Sequence, residues 1–176
     1  MTDTTFEAIA MIIYFVAMIL IGLWAYMRTN DIDDYMLAGR DLNPFVAALS
    51  AVCAPGSEVV FPWRSFESYP IAAPTVHASP VPVPLAPDSG PDLGALADAV
   101  TPATRAIIVC SPNNPTGVAR PASDIAAMVE RVPPSVLVII DEAYIEFAGP
   151  SASRLLSQYP HLMVARTFSK AYGLAA

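Results

Sequence analysis

Lysine is almost absent from this chain. A single one, Lys170, stands among 176 residues. Basic residues number nine against sixteen acidic ones, for a net charge of −7, and they form no cluster. Nucleic acid is therefore not expected as a partner, because phosphate backbones are held by basic patches or stripes. Cysteine is equally scarce. Cys53 and Cys110 lie far apart, without a C-x-x-C motif or a metal-like grouping with His77 or His161. Neither a disulfide framework nor a zinc site is expected, and a reducing compartment is the default. Charged residues make up only 14% of the chain and hydrophobic ones 55%. That is more apolar than a soluble domain usually is, so some apolar segment should be raising the average.

The segment is at the amino terminus, where residues 8–27 hold no charge. About twenty apolar residues suffice to cross a bilayer as a helix. Trp24 and Tyr26 stand where an interfacial aromatic belt would be, and Arg28 and Arg40 follow. The positive-inside rule then leaves the remainder of the chain in the cytoplasm. The expectation is a single-pass membrane helix, with a wholly cytoplasmic protein as the alternative.

Beyond residue 52 the pattern becomes that of alternating strands and helices. Val59 to Phe61 reads as a short strand, followed by an aromatic-rich stretch through Pro70. The proline-rich segment from Tyr69 to Pro91 reads as an extended linker, although the alternation of Val81-Pro-Val-Pro-Leu85 also suits an edge strand. Asp92 to Val100 has the spacing of a short helix, and Arg105 to Cys110 that of a second strand entering the turn-rich Ser111-Pro-Asn-Asn-Pro-Thr-Gly117. A helix is predicted from Pro121 to about Arg131, a third strand over Val136 to Ile140, a helix over Ser151 to Gln158 and a fourth strand over Leu162 to Ala165. Unalternated β-branched runs indicate strands buried on both faces, hence a parallel, doubly wound sheet. With 176 residues there is room for one domain, or for an anchor plus part of a domain.

Three loops should then meet at the carboxyl edge of that sheet, where open α/β folds bind ligands. They carry Asn114, Asp141 to Tyr144, and Thr167 to Lys170. Together they supply an amine able to form a Schiff base, a buried carboxylate, a phenol, an amide and small hydroxyls. Pyridoxal phosphate needs such a set, because its aldehyde condenses with a lysine and its ring withdraws electrons only while the ring nitrogen stays protonated. An adjacent carboxylate favours that protonated form.

The motifs Phe-Pro-Trp-Arg-Ser-Phe-Glu-Ser-Tyr-Pro, Cys-Ser-Pro-Asn-Asn-Pro-Thr-Gly, Asp-Glu-Ala-Tyr-Ile-Glu-Phe and Arg-Thr-Phe-Ser-Lys-Ala-Tyr-Gly resemble those of class I/II aminotransferases of the aspartate aminotransferase fold, most of all histidinol-phosphate aminotransferases. The likeness runs from about residue 56 to 176. It implies Lys170 as the cofactor-bound lysine and acid/base, Asp141 against the ring nitrogen, and Tyr144 with Asn114 on the ring oxygen. It also implies Thr167 and Ser169 near the phosphate, and Trp63 or Phe66 as the stacking aromatic. Cys110, His77 and His161 receive no role. The implied reaction is ping-pong transfer of an amino group between an amino donor, histidinol phosphate by this likeness, and a 2-oxo acid such as 2-oxoglutarate. Family sites usually lie at a homodimer interface.

A second resemblance covers residues 6–51. Asp33-Asp-Tyr-Met-Leu-Ala-Gly-Arg-Asp-Leu-Asn-Pro-Phe, after the apolar span, is similar to the start of sodium/solute symporters, particularly sodium/proline symporters. Two parts are therefore expected: a symporter-like segment over 1–51 with one membrane helix, and a partial aminotransferase large domain over 52–176. Relative to the family, a glycine-rich phosphate loop before Gly56 and an arginine after Lys170 are missing. An impaired or inactive fragment is the expectation, with a membrane-anchored non-catalytic fusion or a symporter fragment as alternatives.

Overall fold

The computed structural model describes residues 11, 14–20 and 44–174, which fall into two compact units, Met1–Leu42 and Asn43–Ala176. In the first unit residues 14–20 are helical. Most of the span predicted to cross a membrane, residues 8–27, lies outside the described residues. Among those that are described, no helix is long and apolar enough to cross a membrane. The membrane-anchored expectation thus gains no support.

The second unit is built on five parallel strands in the order β2-β1-β3-β4-β5: β1 (Glu58–Trp63), β2 (Ser79–Pro84), β3 (Thr104–Cys110), β4 (Leu137–Asp141) and β5 (Leu162–Ala165). The central strands are the apolar runs of the sequence. Ile107, Ile108, Val109, Val138, Ile139 and Ile140 are all fully buried, as strands covered on both faces must be. Side chains alternate between the two faces. Val60, Ile107, Val109, Val138 and Ile140 join one core with α4 (Ala122–Arg131), which contributes Ile125, Met128 and Val129. Val59, Phe61, Ala106, Ile108, Cys110 and Ile139 join the other. That face is covered by α1 (Pro44–Val52), through Phe45 and Leu49, and by α2 (Ser68–Thr75), through Tyr69, Ala72 and Ala73.

The proline-rich stretch divides into two elements that composition alone does not separate. Pro70 is the third residue of α2, where its missing N–H has no helical partner to lose. Pro74 stands next to the last residue of the helix and stops it. The next run is the edge strand β2, with Pro80, Pro82 and Pro84 at alternate positions. Ser79 donates its backbone N–H to the Ser57 carbonyl at 2.8 Å. Alternation therefore turns the N–H groups of Val81 and Val83 toward β1 and leaves the prolines on the free rim, where no partner is lost.

Helix α3 (Leu93–Asp98) is shorter than the Asp92 to Val100 pattern and is capped by the Asp92 carboxylate, which accepts from the Ala95 N–H at 2.9 Å. The helix predicted over Ser151 to Gln158 is instead a single 3-10 turn, η2 (Ala152–Leu155), followed by turns. Its first N–H groups are already taken, Ala152 by the Glu142 carboxylate at 2.6 Å and Ser153 by the Ser151 hydroxyl at 2.9 Å. A short turn, η1 (Ile145–Phe147), follows β4.

Candidate active site

Chain direction changes sides at β1: β2 is added on one flank of it, and β3, β4 and β5 on the other. The carboxyl ends of β1 and β3 flank that switch point, where open α/β sheets bind ligands. A buried amide closes the gap. Asn113, 2% exposed, accepts from the Ser65 hydroxyl at 2.6 Å and donates to the Arg64 carbonyl at 3.2 Å and to the Thr116 hydroxyl at 2.9 Å. Its own carbonyl accepts from Gly117 N–H at 2.7 Å, a turn that Gly117 makes at φ +75°. Asn113 was not singled out in the sequence. The next residue, Asn114, is half-buried, and its side-chain amide makes no hydrogen bond with the described residues.

Asp141 ends β4 and is 4% exposed. Its Oδ2 accepts from the Tyr69 hydroxyl at 2.5 Å and its Oδ1 from the Ala143 N–H at 3.0 Å. Burial pushes the Asp141 pKa up, while the Tyr69 and Ala143 hydrogen bonds, and after them the charge of Lys170, pull it back. Tyr69 is itself fully buried, ringed edge-on by Phe45 at 5.4 Å and Phe66 at 5.7 Å. Burial, reinforced by Cys110 and Asp141 nearby, drives its phenol far above the ordinary range, so it stays a neutral donor. Burial also raises the Cys110 thiol, leaving it protonated and donating to the Pro112 carbonyl at 3.3 Å.

Lys170 is exposed, with Nζ 5.5 Å from the centre of the half-buried Tyr144 ring. Thr167 and Ser169 share a hydroxyl–hydroxyl hydrogen bond of 2.7 Å, and Thr167 Oγ1 also accepts from Ser169 N–H. Trp63, half-buried at the end of β1, meets Phe61 edge-on and has the Arg64 guanidinium 5.3 Å from its ring centre. Phe66, by contrast, edges Tyr69 and so lies one side chain from Asp141. A cavity of about 260 Å³ beside Asn114 and Tyr144 is lined further by Asn113, Pro112, Pro115, Gly117, Phe147 and Ala148. No group of side chains able to hold a metal occurs among the described residues.

The arrangement places a buried carboxyl group, a lone amine, a phenol and an amide at one edge of a parallel sheet. A family model for class I and II aminotransferases matches residues 30–176. The chain belongs to that aminotransferase family. An aromatic amino acid aminotransferase from Cutibacterium acnes is 47% identical over 131 residues, which are 72% of this chain and 37% of the relative. The crystal structure of histidinol-phosphate aminotransferase from Sinorhizobium meliloti, in complex with pyridoxal 5'-phosphate, matches with a TM-score of 0.68 at 30% identity, over 74% of this chain and 36% of that one. An aspartate aminotransferase from Thermus thermophilus, a double mutant, matches with a TM-score of 0.66 at 27% identity, over 73% and 35%. This aminotransferase chain thus spans a little over a third of the length of the curated relatives it matches.

The aminotransferase match begins at residue 30, within the stretch that resembles a symporter. The Pro-Phe element of that stretch opens α1, whose Phe45 and Leu49 are buried against the aminotransferase sheet. The symporter resemblance gains no support. The residues that sequence reasoning passed over, Tyr69, Asn113 and Glu142, share one property: each is a buried polar group satisfied by a partner distant in the chain or on another loop.

Proposed function

We propose that the chain carries the cofactor-binding part of a pyridoxal-phosphate-dependent aminotransferase that moves an amino group between an amino acid and a 2-oxo acid. The buried carboxylate at the end of β4 carries this reading. Asp141 has one hydrogen bond on each oxygen, so lone pairs remain for a cationic ring nitrogen, and burial makes an unpaired charge there costly. Among the described residues, Lys170 makes a ring contact with Tyr144 but no ion pair, and the Asn114 amide and Tyr144 hydroxyl make no hydrogen bond. These residues fit the cofactor. Bound there, it would supply an aldehyde for the amine and a ring that draws electrons away from the substrate carbon.

In this reading Lys170 Nζ would hold the cofactor's aldehyde carbon, water being released, and its amine would carry the proton to and from the substrate. Asp141 would keep the ring nitrogen protonated. Asn114 and Tyr144 would donate to the ring oxygen, and Thr167 and Ser169 to the phosphate. Phe66 is better placed than Trp63 to cover the ring, because it already packs on the tyrosine that holds Asp141. Amino donors with aromatic side chains are favoured. The 47% identity to a relative named aromatic amino acid aminotransferase supports this, and among the described residues the cavity beside Asn114 and Tyr144 is walled by Pro112, Pro115 and Phe147. A histidinol-phosphate donor is the second reading, suggested by the solved structure at 30% identity. A homodimer is the assembly proposed with either.

The test uses the lone lysine. Pyridoxal phosphate is added, the chain is reduced with borohydride, and the adduct is mapped by mass spectrometry. The amino terminus is the only other primary amine. Labelling concentrated on Lys170 and lost in Asp141→Ala supports the reading; equal labelling of both amines sinks it. Half-reactions with phenylalanine and with histidinol phosphate then separate the two donors.

A further inference from the structure

Glu142 is 1% exposed and belongs to neither the cofactor set nor the apolar core. Following Asp141 by one residue, it points to the opposite face, toward Ala152 and the η2 turn. Its carboxylate accepts three hydrogen bonds: from the Ser151 hydroxyl at 2.6 Å, from Ala152 N–H at 2.6 Å and from Arg166 Nε at 3.1 Å. A carboxylate this deep is stable only when fully paired, and the single cation it meets is Arg166. Arg166 is the first residue after β5, four before Lys170.

Little else ties the lysine loop to the sheet. Among the described residues, the hydrogen bonds of residues 167–174 close within that segment: Thr167 with Ser169, Gly173 N–H to Lys170 carbonyl, and Leu174 N–H to Phe168 carbonyl. Phe168 packs on Tyr172 in the same way. Apart from the Lys170 amine over the Tyr144 ring, the loop closes on itself, and its junction with the body is the backbone bond from Glu142 N–H to Ala165 carbonyl, at 2.8 Å, together with the Glu142–Arg166 side-chain pair. We propose that Arg166 and Glu142 are positioning residues, whose ion pair sets where the loop carrying Lys170 stands relative to Asp141. This rests on the reading of Lys170 as the cofactor-bound lysine. The pair touches no cofactor atom in that reading and acts only through the loop.

Arg166 is a good place to test this, because its side chain is 47% exposed and its removal opens no cavity in the core. Two readouts are used on the intact chain. Endoproteinase Lys-C can cut only after Lys170, so its rate, compared at equal denaturation midpoint, reports opening of this loop. The ratio of borohydride-fixed pyridoxal phosphate on Lys170 to that on the amino terminus reports how well the amine is presented. Arg166→Met is expected to raise the Lys-C rate about five-fold and to lower the labelling ratio by a similar factor, with Arg166→Lys recovering most of both. In a Glu142→Gln background, Arg166→Met should add almost nothing further, as expected for partners in one interaction.

An unchanged Lys-C rate in Arg166→Met overturns the proposal. So does faster cutting with an unchanged labelling ratio, which would make the pair merely structural. If the parent chain labels both amines alike, the cofactor reading fails on its own, and the Lys-C rates of the single and double variants still decide whether the pair holds the loop.

Discussion

Burial keeps the Tyr69 phenol a neutral donor, and its hydrogen bond offsets part of the burial that raises the Asp141 pKa. Burial raises the folded-state pKa of Asp141 above the ordinary carboxylate value, so the folded chain holds this proton more tightly than the unfolded one. The contribution of the group to stability is therefore fully present below the ordinary carboxylate range and is lost as pH rises through the raised value. Asp141→Asn removes that dependence. Denaturant titrations of the cofactor-free chain should show the stability difference shifting toward the variant between pH 3 and pH 7. Tyr69→Phe works in the other direction. It removes the 2.5 Å donor while keeping the ring, and it should cost on the order of 1–3 kcal/mol at neutral pH, where an anion loses its partner. At pH 3 the loss should be smaller, because a neutral carboxyl needs the donor less. A loss independent of pH would show that the hydroxyl does not act on the charge.

The elements that frame these residues differ in how openly the sequence announces them. In α3, Asp92 caps the helix and Gly94 is its second residue, without a positive φ. Asp92→Ala should cost about 1 kcal/mol, and Gly94→Ala should gain about 0.5–1 kcal/mol, since an added Cβ meets Asp92 Oδ1 at 3.4 Å, an ordinary contact. Thermal unfolding of the two variants measures both. The strands β3 and β4 are visible as uninterrupted β-branched runs because burial on both faces removes polar alternation. Helix α2 is hidden because proline reads as a helix breaker, yet Pro70 falls in its first turn, where a helix tolerates it, and Pro74 only at its last turn, where the helix ends. The 3-10 turn over Ala152–Leu155 could not be told from a longer helix by apolar spacing over so short a span. Lys170, Asp141 and Asn114 stand out in the sequence by residue type and loop position, and Asp141 does end β4. Tyr69 does not stand out, because its partner lies 72 residues away and only the fold brings them together.

For the molecule as a whole, α1 decides where the sheet-bearing unit starts. Phe45 and Leu49 are 8% and 0% exposed against Val59, Phe61, Tyr69 and Ile108. The unit that contains the sheet begins at Asn43, within the stretch assigned from sequence to a separate segment. Cutting the chain before Asn43 should leave the denaturation midpoint of the sheet nearly unchanged. Cutting after Val52 should uncover that apolar face and lower stability by several kcal/mol, on the scale of about 2–5 kcal/mol for each large core side chain removed. Equal midpoints for the two truncations would show that α1 contributes nothing to the unit.

The three prolines on the rim of β2 have a consequence beyond tolerating an edge. That rim offers carbonyl oxygens without amide hydrogens between them, so it cannot accept a neighbouring strand in a regular ladder. β5 has no proline and, among the described residues, pairs only with β4. Among the described residues, strand addition is therefore blocked at the β2 rim, and β5 is the outer strand whose edge keeps its N–H groups.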